Sequence, residues 1–178
     1  MKGNLAIEGK ISAGMIKIGF GEIGIFDAKK SRTIWDVSGQ IVFKGKADFG
    51  QGSKISVGKN GTIIVGDNFC ITAESSIISH ERIEFGNDCL LSWEIVIMDT
   101  DFHKIVDSTD TFTNPNEPIV IGNHVWIGSR CTVLKGSLIP NNSIIAANSL
   151  VNKAYKNENC VYGGNPLRII TENVRWEK

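Results

Sequence analysis

Aliphatic residues recur every six positions along the second half of the chain. From Ile121 the sequence divides into hexapeptides that read IGNHVW, IGSRCT, VLKGSL, IPNNSI, IAANSL and VNKAYK. The first position is always Ile or Val, and the fifth is small in most of them. A period of six is neither helical nor that of a two-faced strand, so it predicts a short flat face followed by a turn. Three such faces close a triangular coil of about 18 residues, and stacked coils form a prism.

The same template fits the sequence upstream, in two blocks. It fits residues 65–82 and, after a slip of two residues, residues 85–102. Farther upstream its spacing is irregular, which indicates insertions such as segment 27–40. The largest insertion, 103–118, is polar, and we expect a protruding loop, since long loops inside a compact repeat are often functional. The pattern predicts an all-β fold, a parallel β-helix forming one domain over residues 1–178.

The C-terminal segment 164–178 leaves the repeat. Leu167, Ile170 and Val174 have helical spacing, which predicts a short helix over the last coil. The open end of a β-helix exposes unpaired backbone groups, and such an edge needs a cover.

Composition excludes several classes. The formal net charge is zero and no basic tract is present, which argues against a nucleic-acid partner. No apolar run reaches the ~20 residues of a membrane span, and the N-terminus lacks the apolar stretch of a secretory signal. We therefore expect a cytoplasmic protein without an integral membrane segment. The four cysteines form no close pair, so neither a zinc knuckle nor a disulfide framework is predicted.

Three motifs carry a family resemblance. HVWIG (124–128), IIAANSLV (144–151) and YGGNPLRII (162–170) resemble successive steps of the hexapeptide-repeat acyltransferase superfamily. With MDTDFH (98–103), the chain is most similar to bacterial O-acetyltransferases that modify capsule, exopolysaccharide or O-antigen sugars. The resemblance implies a left-handed β-helix and a homotrimer with active sites between neighbouring subunits. It also implies acetyl-CoA as donor and a sugar hydroxyl as acceptor.

His103 begins the 103–118 insertion and matches the family's general base. An alcohol attacks a thioester only if a base takes its proton, and an imidazole with a pKa near ~6.5 suits that task. The resemblance implies direct transfer, with the sugar oxygen attacking the acetyl carbonyl and coenzyme A leaving. Asp101, Asp99 or a backbone carbonyl would orient the ring. Both aspartates also suit ordinary turn positions.

Other chemistries fit less well. His80 and His124 occupy fourth hexapeptide positions, which predicts solvated turns. The three histidines lie too far apart to resemble the three-histidine zinc site of carbonic anhydrases with this fold, so we expect no metal. Cys89 and Cys131 fall at the small fifth position, where a thiol acts as an apolar filler. Cys160 has no evident base nearby.

The candidate donor-binding residues follow from the resemblance and from simple chemistry. Small residues let the pantetheine arm of coenzyme A approach the backbone, basic residues suit its phosphates, and an outward Trp often packs against a ligand. The basic residues can equally be solvated surface charges. The candidates are Trp126, Ser129, Ala146, Ala147, Lys153 and Arg168.

Trp93 and Glu94 break the corner chemistry of their hexapeptide, LSWEIV, and are candidates for the acceptor pocket. The predicted function is O-acetyl transfer from acetyl-CoA to a sugar hydroxyl of a surface polysaccharide or its precursor. One alternative is N-acetylation of an amino sugar nucleotide. Another is a non-catalytic β-helix scaffold, which the presence of His103 disfavours.

Overall fold

A computed structural model describes residues 2–21, 23–27 and 29–177. These residues form twenty strands and no helix. In chain order the strands are β1 (Asn4–Ile7), β2 (Ile16–Phe20), β3 (Ile34–Val37), β4 (Gln40–Phe43), β5 (Ala47–Gly50), β6 (Lys54–Val57), β7 (Thr62–Val65), β8 (Phe69–Ala73), β9 (Ser76–Ser79), β10 (Arg82–Phe85), β11 (Leu90–Trp93), β12 (Val96–Met98), β13 (Ile119–Ile121), β14 (Trp126–Ile127), β15 (Thr132–Leu134), β16 (Leu138–Ile139), β17 (Ile144–Ile145), β18 (Leu150–Val151), β19 (Cys160–Gly163) and β20 (Arg168–Glu172).

The strands form the three faces of a prism. The first face is β1-β4-β7-β10-β13-β16, the second is β2-β5-β8-β11-β14-β17-β19-β20, and the third is β18-β15-β12-β9-β6-β3. From β1 to β18, consecutive strands enter consecutive faces, and each strand up to β15 pairs in parallel with the strand three places later. Segment 27–40, expected to be an insertion, contributes β3 to the third face. The predicted parallel β-helix is therefore confirmed.

The hexapeptide register sets which side chains point inward. Ile121 pairs with Ile139 and Ile127 with Ile145, in each case 18 positions apart, and all four side chains are buried. Fourth hexapeptide positions turn the corners with φ angles of 47° to 59°, a left-handed conformation that Asn and Asp tolerate better than most residues. These residues are Asn68, Glu74, Asp88, Glu94, His124, Arg130, Asn142 and Asn148.

The interior changes character along the prism axis. In the N-terminal half, Phe43, Phe49, Phe69 and Phe85 form a chain of ring contacts with centroids 4.8 to 6.2 Å apart. In the C-terminal half, small side chains such as Ser143 and Ser149 fill the fifth positions. Burying each aromatic ring contributes about 1.5–3 kcal/mol to the stability of the N-terminal half.

The predicted C-terminal helix is wrong. Residues 168–172 form β20, which pairs antiparallel with β19 and covers the backbone groups of that edge strand. Gly164, with φ of +97°, makes the reversal, and Ile169 and Ile170 favour a strand because they are β-branched. Leu167 is buried whereas Ile170 is exposed, so the apparent helical spacing does not mark one apolar side.

Candidate active site

The chain leaves the prism between β12 on the third face and β13 on the first face. Residues 103–118, here called the hairpin loop, fold back on themselves through an antiparallel bridge between Val106 and Phe112. The Thr113 N–H donates to the Ile105 carbonyl at 2.9 Å. At the tip, hydrogen bonds from Thr109 and Thr111 lower the pKa of the Asp107 carboxyl. The insertion therefore has a regular backbone of its own.

An open hollow of about 280 Å³ lies between the hairpin loop and the corner of the coil. The imidazole of His103 is exposed there and makes no hydrogen bond to any described residue. Since neither ring nitrogen is tied to the protein, the unprotonated one of either tautomer is available to accept a substrate proton. The hollow is lined by His80, Thr100, Asp101, Phe102, His103, Lys104, Phe112, Asn114 and Asn116.

Asp99 is completely buried beneath this corner. One carboxylate oxygen accepts the His80 N–H at 2.7 Å. The other accepts the Ser79 hydroxyl at 2.7 Å and the Glu81 N–H at 3.0 Å. Asp99 therefore anchors the preceding coil, and none of its hydrogen bonds involves the imidazole of His103, for which it was one of three candidate orienting partners.

The Asp101 side chain is held by Lys135 and Asn114 and not by His103. Its Oδ2 accepts hydrogen bonds from Lys135 Nζ at 2.6 Å and Asn114 Nδ2 at 2.8 Å. These two contacts, with that from Lys135 the larger cause, lower the pKa of the Asp101 carboxyl. The His103 N–H donates to the Asp101 carbonyl at 2.6 Å. Asp101 thus shapes the turn that carries His103 and makes no hydrogen bond to its ring.

The other two histidines are not the solvated turns that their positions predict. His80 is half-buried and packs edge-on against the Phe102 ring, with centroids 5.1 Å apart, so it lines the hollow. His124 stacks on Trp176 at 4.4 Å with nearly parallel rings. The ring that His80 contacts lies 22 positions away in the sequence, and the ring that His124 contacts lies 52 positions away. A local sequence pattern cannot predict contacts over such separations.

Three candidate donor residues lie together at the corner between the second and third faces. Ser129 and Ala147 belong to consecutive coils, and the Ser129 carbonyl accepts the N–H of Asn148 at 3.0 Å. A Cβ on Gly128 would lie only 2.7 Å from the Ala147 nitrogen, so the two coils touch backbone to backbone. With Ala146 these residues form a strip of small side chains, which we call the small-residue strip (Gly128, Ser129, Ala146 and Ala147).

The remaining donor candidates lie in three different places. Trp126 lies on the second face, 37% exposed, and its indole N–H donates to Ser92 Oγ at 3.2 Å. Arg168 pairs with Gly163, a neighbour of Ala146, and so lies beside the small-residue strip. Lys153 follows β18 at the corner between the third and first faces, with its Nζ 5.6 Å from the centre of the Tyr155 ring. The structure does not bring Lys153 to that strip.

Trp93 and Glu94 share a corner with the small-residue strip. Arg130 joins them to the next coil, because its N–H donates to the Trp93 carbonyl at 3.0 Å and its Nε lies 2.7 Å from Glu94 Oε2. This corner separates the second and third faces, whereas His103 lies at the corner between the third and first. Within one chain, Trp93 and Glu94 are therefore not part of the His103 hollow.

The buried cysteines carry no activated thiol. Burial raises the pKa of the Cys89 thiol to about 11 and also raises that of Cys131. Both side chains are inward fifth-position fillers, as predicted. Over the described ranges, His, Cys, Asp and Glu form no group of three or more that could hold a metal ion.

Comparisons with known proteins extend these observations. Residues 118–153 match the family described as bacterial transferase hexapeptide (six repeats). The chain is 32% identical over 154 residues to WbbJ of Escherichia coli, which is assigned to lipopolysaccharide biosynthesis as an O-acetyl transferase. That alignment covers 79% of this chain and 78% of WbbJ.

Two solved structures share the fold over most of the chain. The polySia-specific acetyltransferase NeuO superposes with a TM-score of 0.65 and 25% identity, over 78% of this chain and 63% of NeuO. A galactoside acetyltransferase in complex with coenzyme A gives a TM-score of 0.58 and 27% identity, over 71% of this chain and 68% of that chain. The fold is thus the left-handed parallel β-helix that the resemblance implied.

Fold and relatives together define an acetyltransferase built on a left-handed β-helix. The chain belongs to the bacterial hexapeptide-repeat transferase family, which confirms the resemblance seen in its motifs. None of the described residues lies in a helix long and apolar enough to cross a membrane.

Proposed function

We propose that the protein transfers the acetyl group of acetyl-CoA to a hydroxyl of a sugar in a surface polysaccharide or its precursor, with His103 as general base. The observation that carries the proposal is the exposed His103 imidazole in a hollow between a coil corner and the hairpin loop. The kinship with WbbJ, NeuO and a coenzyme A-bound galactoside acetyltransferase supports the donor and the acceptor class. Because acetyl-CoA is the donor, we place the reaction in the cytoplasm.

The chemistry needs one group that both accepts and returns a proton. The His103 imidazole takes the proton of the sugar hydroxyl while the oxygen forms a bond to the acetyl carbonyl carbon. The resulting tetrahedral oxyanion collapses, the carbon–sulfur bond breaks, and the imidazolium returns the proton to the coenzyme A sulfur. The exposed position of the ring leaves it free to reach both oxygen and sulfur.

The lining of the hollow suits a sugar. Phe102 and Phe112 are 60% and 46% exposed and offer aromatic surface to the C–H face of a pyranose. Asn116 offers an amide that donates to one hydroxyl and accepts from another. Apolar surface with a few polar groups that fix orientation is the usual composition of a small-molecule site.

Assembly of the complete site requires a second copy of the chain. The small-residue strip and the His103 hollow lie at different corners of one prism, so a single chain does not hold donor and base together. A homotrimer in which the strip of one subunit faces the hollow of the next brings them together. Arg168, beside the strip, then suits the phosphates of coenzyme A. Lys153 and the pair Trp93 and Glu94 are proposed only as contacts across that subunit boundary.

The test uses purified protein, acetyl-CoA and a panel of acceptors comprising oligosialic acid, a galactoside, a maltoside and an amino sugar nucleotide. Coenzyme A release is followed with a thiol reagent. We expect His103→Ala to lower turnover by roughly 10²–10⁴-fold and to leave the Kd for acetyl-CoA within about threefold. Ser108→Ala, at the exposed tip of the same loop, is the matched control. Near wild-type turnover in His103→Ala would overturn the base assignment.

The same assay separates the alternatives. An O-acetyl ester is cleaved by hydroxylamine, whereas an N-acetyl amide is not. Product that resists hydroxylamine would therefore point to N-acetylation. Absence of acetyl-CoA binding at millimolar concentration would leave a non-catalytic scaffold.

A further inference from the structure

We propose that Lys135 is a positioning residue that holds the hairpin loop, and with it His103, in its working place. The inference rests on the proposed function of His103. Lys135 follows β15 on the coil after the insertion, so it belongs to the rigid prism and not to the loop. It reaches across to residues on both sides of the loop base.

All three N–H donors of the Lys135 ammonium have acceptors. Nζ lies 2.6 Å from Asp101 Oδ2, 3.1 Å from the Asn114 carbonyl and 3.0 Å from the Pro115 carbonyl. The side chain is only 17% exposed. A corner lysine normally extends into solvent, so this near-complete engagement sets Lys135 apart.

A second set of bonds carries the restraint to His103. Asn114 Nδ2 donates both to Asp101 Oδ2 at 2.8 Å and to the His103 carbonyl at 2.9 Å. Asn114 Oδ1 accepts the Ile105 N–H at 2.5 Å. Lys135 therefore holds Asp101 and Asn114. These two residues in turn bind the backbone on both sides of His103.

Lys153 offers an internal comparison. It occupies the equivalent position one coil later, 18 residues on, but among the described residues it forms no ion pair, and its Nζ lies over the Tyr155 ring. Stacking of coils at this corner thus does not itself demand the contacts that Lys135 makes. Lys135 also neutralises the Asp101 carboxylate, which would otherwise stand unpaired two residues from the base.

The test compares Lys135→Met, Lys135→Arg and the control Lys59→Met, an exposed lysine at the same kind of corner on an earlier coil. We expect Lys135→Met to lower kcat by roughly 10–100-fold, because small displacements of a catalytic group cost that much. The Kd for acetyl-CoA and the Tm should stay near wild type. Lys135→Arg should recover most of the loss, and Lys59→Met should have no effect.

Hydrogen exchange gives a readout that needs no turnover. In Lys135→Met, peptides spanning 103–114 should exchange about tenfold faster while those of the prism stay unchanged. Faster exchange with unchanged kcat, or a kcat loss that only follows a fall in Tm, would overturn the positioning role. Wild-type protein that transfers no acetyl group would instead overturn the proposed function, a failure visible before any variant is made.

Discussion

Replacing Asp99 with Ala tests whether this carboxylate supports the corner or serves His103 directly. The substitution removes the acceptor of two backbone N–H groups, those of His80 and Glu81, and of the Ser79 hydroxyl. The hydroxyl keeps the Thr62 carbonyl as an acceptor at 3.2 Å. The lasting loss is therefore two backbone donors.

Each buried donor left without an acceptor costs about 1–3 kcal/mol. Water reaches part of this site because Glu81 is exposed, so we expect a total destabilisation of about 2–4 kcal/mol. For a chain of this length, 1 kcal/mol shifts Tm by roughly 2–4 °C, which predicts a fall of roughly 5–15 °C. Thermal unfolding followed by circular dichroism, at one protein concentration for all variants, measures it.

Asp101→Ala is the matched control, since it removes an aspartate from the same segment. Asp101 is exposed, and its ion pair with Lys135 contributes at most about 1 kcal/mol to global stability. We therefore expect little change in Tm from this variant. Activity is compared at 20 °C, where we expect the Asp99→Ala protein to remain folded. The kcat of Asp99→Ala should then lie within about tenfold of the wild-type value, a smaller loss than the ~10²-fold that misplacing a catalytic group costs. An unchanged Tm together with a kcat loss of ~10²-fold or more would refute the structural role and restore Asp99 as the partner of His103.

Two further predictions concern titration. The pKa of Asp101 is lowered by Lys135 and Asn114, so its contribution to holding the hairpin loop is fully present above the unfolded pKa of ~3.9 and is lost as pH falls through the lower folded value. Hydrogen exchange of the loop, corrected for the intrinsic pH dependence, should therefore accelerate below pH ~4 before the prism unfolds, and a loop that stays protected until global unfolding would contradict this. Cys89 is buried and has a pKa of about 11, so it should resist iodoacetamide in the native protein at pH ~8 and react after denaturation. Peptide mass spectrometry measures the labelling. Rapid labelling of the native protein with loss of turnover would contradict this prediction and indicate a role for the thiol.

Particular elements illustrate why some predictions succeeded. The run from Ile121 to Val151 predicted which side chains are buried, because each hexapeptide stacks on one 18 residues away with the same apolar pattern. The C-terminal helix failed because the helical spacing over residues 167–174 supplied the wrong kind of cover: a strand can pair with the open edge of β19 and a helix cannot. The edge exists only once the last coil has formed.

The residues around His103 divide in the same way. His103 itself stands out in the sequence, since it begins the longest interruption of a regular repeat. Its surroundings do not, because Lys135 and His80 lie 32 and 23 positions away and reach the loop only through the stacking of coils. Either aspartate or a backbone carbonyl was a candidate to orient the ring, yet Asp99 accepts hydrogen bonds from the coil below, and Asp101 from the coil above and the hairpin loop.

By itself the sequence determined the coil period, the inward positions and the single histidine at the break in the repeat. These are local properties, since each depends on residues within one or two hexapeptides. Only the tertiary structure decided what covers the last coil and which donors hold Asp99 and Asp101. It also decided that the small-residue strip and the His103 hollow lie at different corners. Those outcomes depend on contacts between residues of different coils. Packing in three dimensions decides which residues meet across the insertions, and the periodicity of the sequence does not record these contacts.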